Sequence, residues 1–196
     1  MEERRDLLWE PCGDPGLEHL RLHMGASGLL ADGIIIRQRP AQAPFRLRYR
    51  IECDEAMRLR RTQIAIDSPV ERSIDLRADG RGAWSDAEGA TIEAVSGCID
   101  LDIAATPFTN TLPIRRLSLK PGASAEIDVV YVTIPELEVR PLRQRYTCLS
   151  SGAGGAVYLY ENCASGFTAR LPVDDDGLVL DYPGQWKRRS TGEERG

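Results

Sequence analysis

Lysine is nearly missing from this 196-residue sequence: of its 25 basic residues only Lys120 and Lys187 are lysines, and the rest are arginines. A GC-rich coding bias produces such an imbalance without functional demand. The functional alternative is a need for planar guanidinium forks that match carboxylate or phosphate headgroups. Histidine is equally scarce. His19 and His23 share one face by their spacing, yet Leu-Arg-Leu lies between them, so the H-E-x-x-H zinc pattern is absent and no metal or cofactor is expected. Apolar runs are short, none nearing the roughly 18 residues of a membrane span. The opening MEERRDLLWE has neither the apolar stretch nor the small-residue site of an export leader. No transmembrane segment and a cytoplasmic location are therefore expected. The five cysteines, at positions 12, 53, 98, 148 and 163, are odd in number and lack a C-x-x-C pair. They read as reduced thiols, small hydrophobes rather than nucleophiles. Neither a G-x-S-x-G elbow nor a phosphate-cradling glycine loop occurs, and the glycines at 152, 154 and 155 do not open a helix after a strand. Net charge of −5 and a pI near 5.2 speak against nucleic acid.

What the sequence has is period-two alternation. Leu47, Tyr49, Ile51 and Cys53 alternate with Arg46, Arg48, Arg50 and Glu52, placing apolar groups on one face of a strand and charges on the other. The pattern returns at Ile74 and Leu76, at Ile99, Leu101 and Ile103, at Leu117 and Leu119, at Ile127, Val129 and Tyr131, and at Leu178, Leu180 and Tyr182. Parallel strands buried on both faces would read as continuous apolar runs, so one curved antiparallel sheet with little helix is predicted. Leu20, Leu22 and Met24 favour a strand over a short helix at residues 17–24. Turns are expected at Asp79-Gly80, Pro121-Gly122, Asp176-Gly177 and Pro183-Gly184. Pro135, Pro141 and Pro172 predict edges or bulges, and SGAGG at 151–155 a flexible loop.

The length suits one domain with a real core, residues 1–188. The polar end KRRSTGEERG has nothing to bury, and 189–196 are expected to form a disordered tail. Asp100 and Asp102 project to the same side of a strand, roughly 7 Å apart, a separation open to paired acid and base work. On a solvated face they would instead pair across strands with arginines such as Arg46, Arg48 and Arg50. That arginine row is alternatively a patch for an anionic headgroup. Trp84, Tyr131, Tyr146, Tyr158, Tyr160, Phe167, Tyr182 and Trp186 lie in or near β-like stretches and suit either a core or a cavity wall.

The stretch GCIDLDIAATPFTNTLPIRRL, residues 97–117, and above all its TPFTNTLPIRRL, resembles the signature of the putative glycolipid-binding family of bacterial proteins, formerly a domain of unknown function. YRIECDEAMRLR, DGRGAW, the QRY of Gln144 to Tyr146 and VDDDGLVLDYPGQW add to the similarity, which extends from about Trp9 to Arg188. The resemblance implies a spiral β-roll that shelters a lipid or glycolipid in its concavity. It carries over Asp100, Thr106, Pro107, Phe108, Thr109, Asn110, Pro113, Ile114, Arg115 and Arg116. Thr-Pro-Phe-Thr-Asn is expected to form a rigid turn, with Arg115 and Arg116 on opposite faces of a resumed strand. Lipid carriers of that shape act in the periplasm, whereas this chain, expected to lack a leader, is expected to meet its ligand in the cytoplasm or at the inner face of a membrane.

The expected function is non-enzymatic binding of a lipid or glycolipid, as carrier or sensor, with no catalytic residue. Candidate ligand contacts are Arg46, Arg48, Arg50, Trp84, Asp100, Phe108, Asn110, Arg115, Arg116, Tyr131, Tyr146, Tyr158 and Tyr160. One alternative is an enzyme acting on a lipid or sugar conjugate through Asp100, Asp102 or arginines at a cavity mouth. Another is a module that pairs an exposed strand edge with a partner.

Overall fold

Alternating segments become strands almost wherever they occur. The computed structural model describes residues 3–41, 43–68 and 70–189. Seven strands follow one another as an antiparallel meander: β1 (Glu3–Pro11), β2 (Gly16–Gly25), β3 (Gly28–Arg37), β4 (Phe45–Cys53), β5 (Leu59–Ser68), β6 (Arg72–Ala78) and β7 (Trp84–Ser85). Residues 17–24 are strand, as alternation predicts, and Leu20, Leu22 and Met24 face inward. The predicted single sheet is corrected to two. After β7 the chain leaves the ladder through a 3-10 turn at Glu93–Val95 and starts a second sheet. This holds β8 (Asp100–Ile103), β9 (Ser124–Val132), β10 (Val139–Gly152), β11 (Gly155–Asn162) and β12 (Thr168–Val173), in the order β12-β11-β10-β9-β8. The chain then returns, and β13 (Asp181–Tyr182) and β14 (Trp186–Arg189) complete the large sheet by pairing β14 with β1.

One pair, β8 with β9, is parallel, and it accounts for the main error of local reading. Parallel neighbours need a crossover of a dozen or more residues, usually with a helix. The crossover here contains a 3-10 turn (Phe108–Asn110) and helix α1 (Thr111–Leu117). Leu117 and Leu119 therefore belong to a helix end and a loop, not to a strand, and Arg115 and Arg116 sit on one short helix. Ser118 closes that helix in the left-handed conformation. Leu178 and Leu180 also lie outside regular strand, since Val173 and Val179 form only an isolated bridge there.

The second sheet is covered on both sides near the crossover. Leu101, Ile103, Val130 and Val132 join the large sheet in the first core, with Phe108 and Leu112. Tyr146, Tyr158, Tyr160, Leu171 and Val173 form a second core with Ile114 of α1 and Val179. Burial on two faces explains why Val129 and Val130 are consecutive apolar residues, as in a parallel sheet.

The four turns occur where glycine and its neighbours place them: Gly80, Gly122, Gly177 and Gly184 all have positive φ. Pro172 lies on the edge strand β12. Pro141 is in β10 but pairs only with Val130 of β9, because pairing to β11 starts at Gln144. Pro135 lies between β9 and β10. The glycines at 151–155 are not a loose loop: Gly152 pairs with Gly155 across a tight hairpin. Of the expected tail, Lys187 to Arg189 are part of β14, opposite Glu10 to Leu8, because β1 offers an open edge. Residues 190–196 lie outside the described residues. No helix among the described residues is long and apolar enough to cross a membrane.

Candidate functional site

A buried carboxylic acid ties the large sheet to the crossover. Glu18 of β2 is fully buried, and its Oε1 accepts hydrogen bonds from Tyr49 Oη at 2.6 Å and Thr106 Oγ1 at 2.6 Å. Its Oε2 has no partner among the described residues. Burial pushes the Glu18 carboxyl up to about 8, against the opposing pull of the two hydroxyls. Tyr49 reaches this acid because its cross-strand neighbour is Gly33: a Cβ there would overlap the phenol ring. The same ring stacks on Phe108 at 6.3 Å between centroids.

The crossover turn is rigid for the reason its residues suggest. Thr106 Oγ1 accepts from the Phe108 amide at 3.0 Å, and Asn110 Nδ2 donates to the Pro107 carbonyl at 3.1 Å. Thr109 Oγ1 accepts from the Ile103 amide at 3.3 Å and donates to Asp102 Oδ1 at 3.0 Å. Asp102 Oδ2 accepts from Gln144 Nε2 at 2.7 Å, and Tyr146 Oη donates to Asn110 Oδ1 at 2.9 Å. Burial raises the Asp102 carboxyl, while its two donors hold it down.

Asp102, Thr106 and Asn110 form the polar floor of a cavity of about 240 Å³ between the second sheet and the β13–β14 hairpin. Its walls include Tyr131, Tyr160, Phe167, Tyr182 and Trp186. Tyr160, Phe167 and Tyr182 form a triangle with centroids 6.1 to 6.3 Å apart, and Phe167 keeps 40% of its surface exposed at the mouth. Burial, reinforced by the Asp102 charge, raises the phenols of Tyr160 and Tyr182, which stay neutral donors.

Near this cavity, Arg140 and Arg39 have no carboxylate in ion-pair range among the described residues. Asp102, Tyr131 and Arg140 occupy one cross-strand row of β8, β9 and β10. The Arg140 guanidinium lies over the Tyr131 ring, 4.9 Å from its centroid. Arg39, just past β3, donates to the Ile134 carbonyl at 3.1 Å. Arg37 stacks over Trp186 at 5.0 Å and is neutralised by Asp14 at 2.9 Å.

Of the residues expected to contact a ligand, Asn110, Tyr131 and Tyr160 line this cavity and Tyr146 holds Asn110 from behind. The others are elsewhere. Arg46, Arg48 and Arg50 project from the opposite, solvent face of β4, where Asp67 pairs with the first two and Glu52 with the third. Arg48 and Arg50 border a separate, wider depression of about 950 Å³ with Gln63, Ser73 and Asp75. Arg48, Arg50 and Asp75 pair there with Asp67, Glu52 and Arg61, which lie outside its lining. The expected solvated acid row is corrected as well: Asp100 is buried and takes both Nε and Nη2 of Arg116, at 3.0 and 2.6 Å. Arg115 donates to the Asp176 carbonyl at 2.8 Å, so both arginines are held within the molecule. Trp84 donates to the Cys98 carbonyl at 2.6 Å from a buried position, and Phe108 is wholly buried. Tyr158 borders a third depression near α1. Burial pushes the Cys53 thiol up to about 12 and that of Cys98 to about 11, so both stay protonated. His19 lies against Asp6 at 3.1 Å, and no cluster of three metal-ligating groups exists among the described residues. Missed by local reading were Glu18, Arg39 and Arg140, whose environments come from distant segments.

A model of the putative glycolipid-binding family matches residues 6–188. The chain belongs to that family. The crystal structure of a DUF1089 family protein from Pseudomonas aeruginosa is similar over 89% of this chain and 92% of that one, at 41% identity and a TM-score of 0.80. A β-barrel-like protein of a domain of unknown function, DUF1849, from Brucella abortus shares the fold with a TM-score of 0.53 and 11% identity, over 96% of this chain and 95% of that one. The comparison with curated proteins returns no match. The TPFTNTLPIRRL segment that carries the resemblance forms the crossover, and it supplies Thr106 and Asn110 to the cavity floor.

Proposed function

We propose that the protein binds the sugar headgroup of an amphipathic molecule in the aromatic cavity, with the apolar tail leaving past Phe167. The observation that carries this is the pairing of a polar floor, Asp102, Thr106 and Asn110, with walls of tyrosine, phenylalanine and tryptophan. A pyranose has the same two-sided chemistry: hydroxyls at its rim, and C–H faces that pack on aromatic rings. Membership of the putative glycolipid-binding family points the same way.

Size limits what enters. At about 240 Å³ the cavity falls below the roughly 300–1,000 Å³ of sites that enclose drug-sized ligands. It takes a headgroup, and acyl chains must lie outside. Binding without turnover fits the groups present, since the acid is hydrogen-bonded in place and the phenols are held protonated. Native mass spectrometry of gently purified protein, followed by titration with a neutral alkyl glycoside, tests the proposal. Adduct formation that is lost in Asp102→Ala with the fold retained is the expected result. A protein that carries no adduct and ignores a panel of alkyl glycosides would refute it.

A further inference from the structure

The cavity mouth has a charge that its floor does not. Asp102 is the acid on the floor, yet next to it, one strand beyond Tyr131, stands Arg140, and Arg39 approaches the same end of β9 through the Ile134 carbonyl. Strand spacing puts the Arg140 backbone roughly 10 Å from that of Asp102, about the length of one sugar ring with a substituent. Among the described residues, neither Arg39 nor Arg140 has a carboxylate in ion-pair range, whereas Arg37, Arg46, Arg48, Arg50, Arg115 and Arg116 all do. Arg37, itself paired with Asp14, repels Arg39, while the charges of Glu136 and Asp14 attract it. In a chain of net charge −5, two guanidiniums without an ion-pair carboxylate near one cavity-lining ring concentrate positive charge locally.

Arg39 and Arg140 both lie within electrostatic reach of the Tyr131 phenol. Their five-donor forks suit phosphoryl and carboxylate oxygens in particular. Arg140 is also preorganised, because stacking on Tyr131 restricts its side chain while leaving its edge donors free. We infer that Arg39 and Arg140 form an anion subsite, which takes a phosphoryl or carboxylate group attached to the sugar whose hydroxyls meet Asp102, Thr106 and Asn110. This rests on the headgroup cavity proposed above and narrows its ligand class from glycosides in general to anionic ones. A free hexose monophosphate offers the same chemistry as a phosphoglycolipid headgroup, and the two are separated by their tails.

The test is calorimetric titration with a matched pair, an alkyl glucoside and the corresponding alkyl glucuronide, and in parallel with a hexose monophosphate and inorganic phosphate. Wild type is expected to prefer the glucuronide by about tenfold or more, as charge-assisted hydrogen bonds allow, and to lose that preference at high salt. The double variant Arg39→Gln/Arg140→Gln is expected to bind both glycosides alike while keeping the affinity for the neutral one within about twofold, since hydroxyl contacts are unchanged. Circular dichroism and thermal melting verify the fold of the variant. Equal binding of the pair by wild type, or a preference that survives in the double variant, overturns the anion subsite and leaves the cavity standing. If neither glycoside binds but phosphate does, and the double variant abolishes it, the headgroup cavity fails and the anion subsite stands. Absence of all four interactions overturns both. A hexose monophosphate that matches the glucuronide identifies a soluble ligand; a large advantage for the alkylated ligand identifies a lipid.

Discussion

Replacing Glu18 by glutamine should make the protein more stable in alkali and alter how stability depends on pH. Folding carries this carboxyl into the core with one oxygen unpartnered, and its proton is retained up to about pH 8. In the unfolded chain the same group releases its proton near 4.5. Between those values the native state binds more protons than the unfolded state, so the contribution of Glu18 is full below about 4.5 and is lost progressively as pH rises to about 8. The slope is roughly 1.4 kcal/mol per pH unit, and the whole interval is worth on the order of 5 kcal/mol. Glutamine does not titrate, keeps an oxygen for Tyr49 and Thr106, and introduces an amide whose donors lack partners, at a cost of about 1–3 kcal/mol. Urea unfolding from about pH 5 to about pH 9 should therefore show wild type ahead at the acidic end and Glu18→Gln ahead at the alkaline end. The difference between the two isolates Glu18 from the exposed carboxylates, whose pH dependence both proteins share. Tyr49→Phe removes a hydrogen bond that favours the charged carboxylate, and should carry the fall in stability to higher pH before it levels off. Parallel stability curves for wild type and Glu18→Gln would show that the acid is not held neutral by burial, and the account would fail.

Gly33→Ala should destabilise by about 3 kcal/mol, because the new methyl group meets the Tyr49 ring; urea midpoints measure it, and a neutral result would contradict the packing of β3 on β4. Asp100→Asn should cost about 3 kcal/mol by leaving Arg116 without its carboxylate; selective loss of ligand binding at unchanged stability would instead make Asp100 a contact residue. Phe167→Ala should alter stability by less than about 1 kcal/mol, since the ring is partly exposed, while weakening an alkyl glycoside by about tenfold in titration. Equal affinity would remove Phe167 from the path of the tail.

Much of the strand content was legible in local order. In β4 the alternation of Arg46 to Cys53 sorted the wet and apolar faces correctly, because a strand repeats every two residues whatever its neighbours. The Pro-Gly and Asp-Gly turns were legible too, since each needs only a positive φ at its own glycine. The crossover was recognised as a distinctive segment through family resemblance, yet its geometry was misread. Arg116, Ser118 and Lys120 alternate with Leu117 and Leu119 as a strand would, but two parallel strands had to be bridged there, and helix α1 resulted. Asp100 and Asp102 were expected on a solvated face for a similar reason: alternation reports sides and cannot tell whether another layer covers the polar one.

The sequence by itself determined the β class, the inward residues of most strands and the turns between them, because those depend on interactions within a few residues. Only the tertiary structure decided that there are two sheets, that β14 returns to β1 across the whole chain, and that an acid from β2 meets a threonine from the crossover. It also decided which arginines lack partners. Arg46, Arg48 and Arg50 are conspicuous in order but neutralised by Asp67 and Glu52, whereas Arg39 and Arg140 attract no notice in the chain and both come within electrostatic reach of Tyr131. Charge compensation and cavity walls are set by distances between segments far apart in sequence, and these do not exist until the sheets have packed.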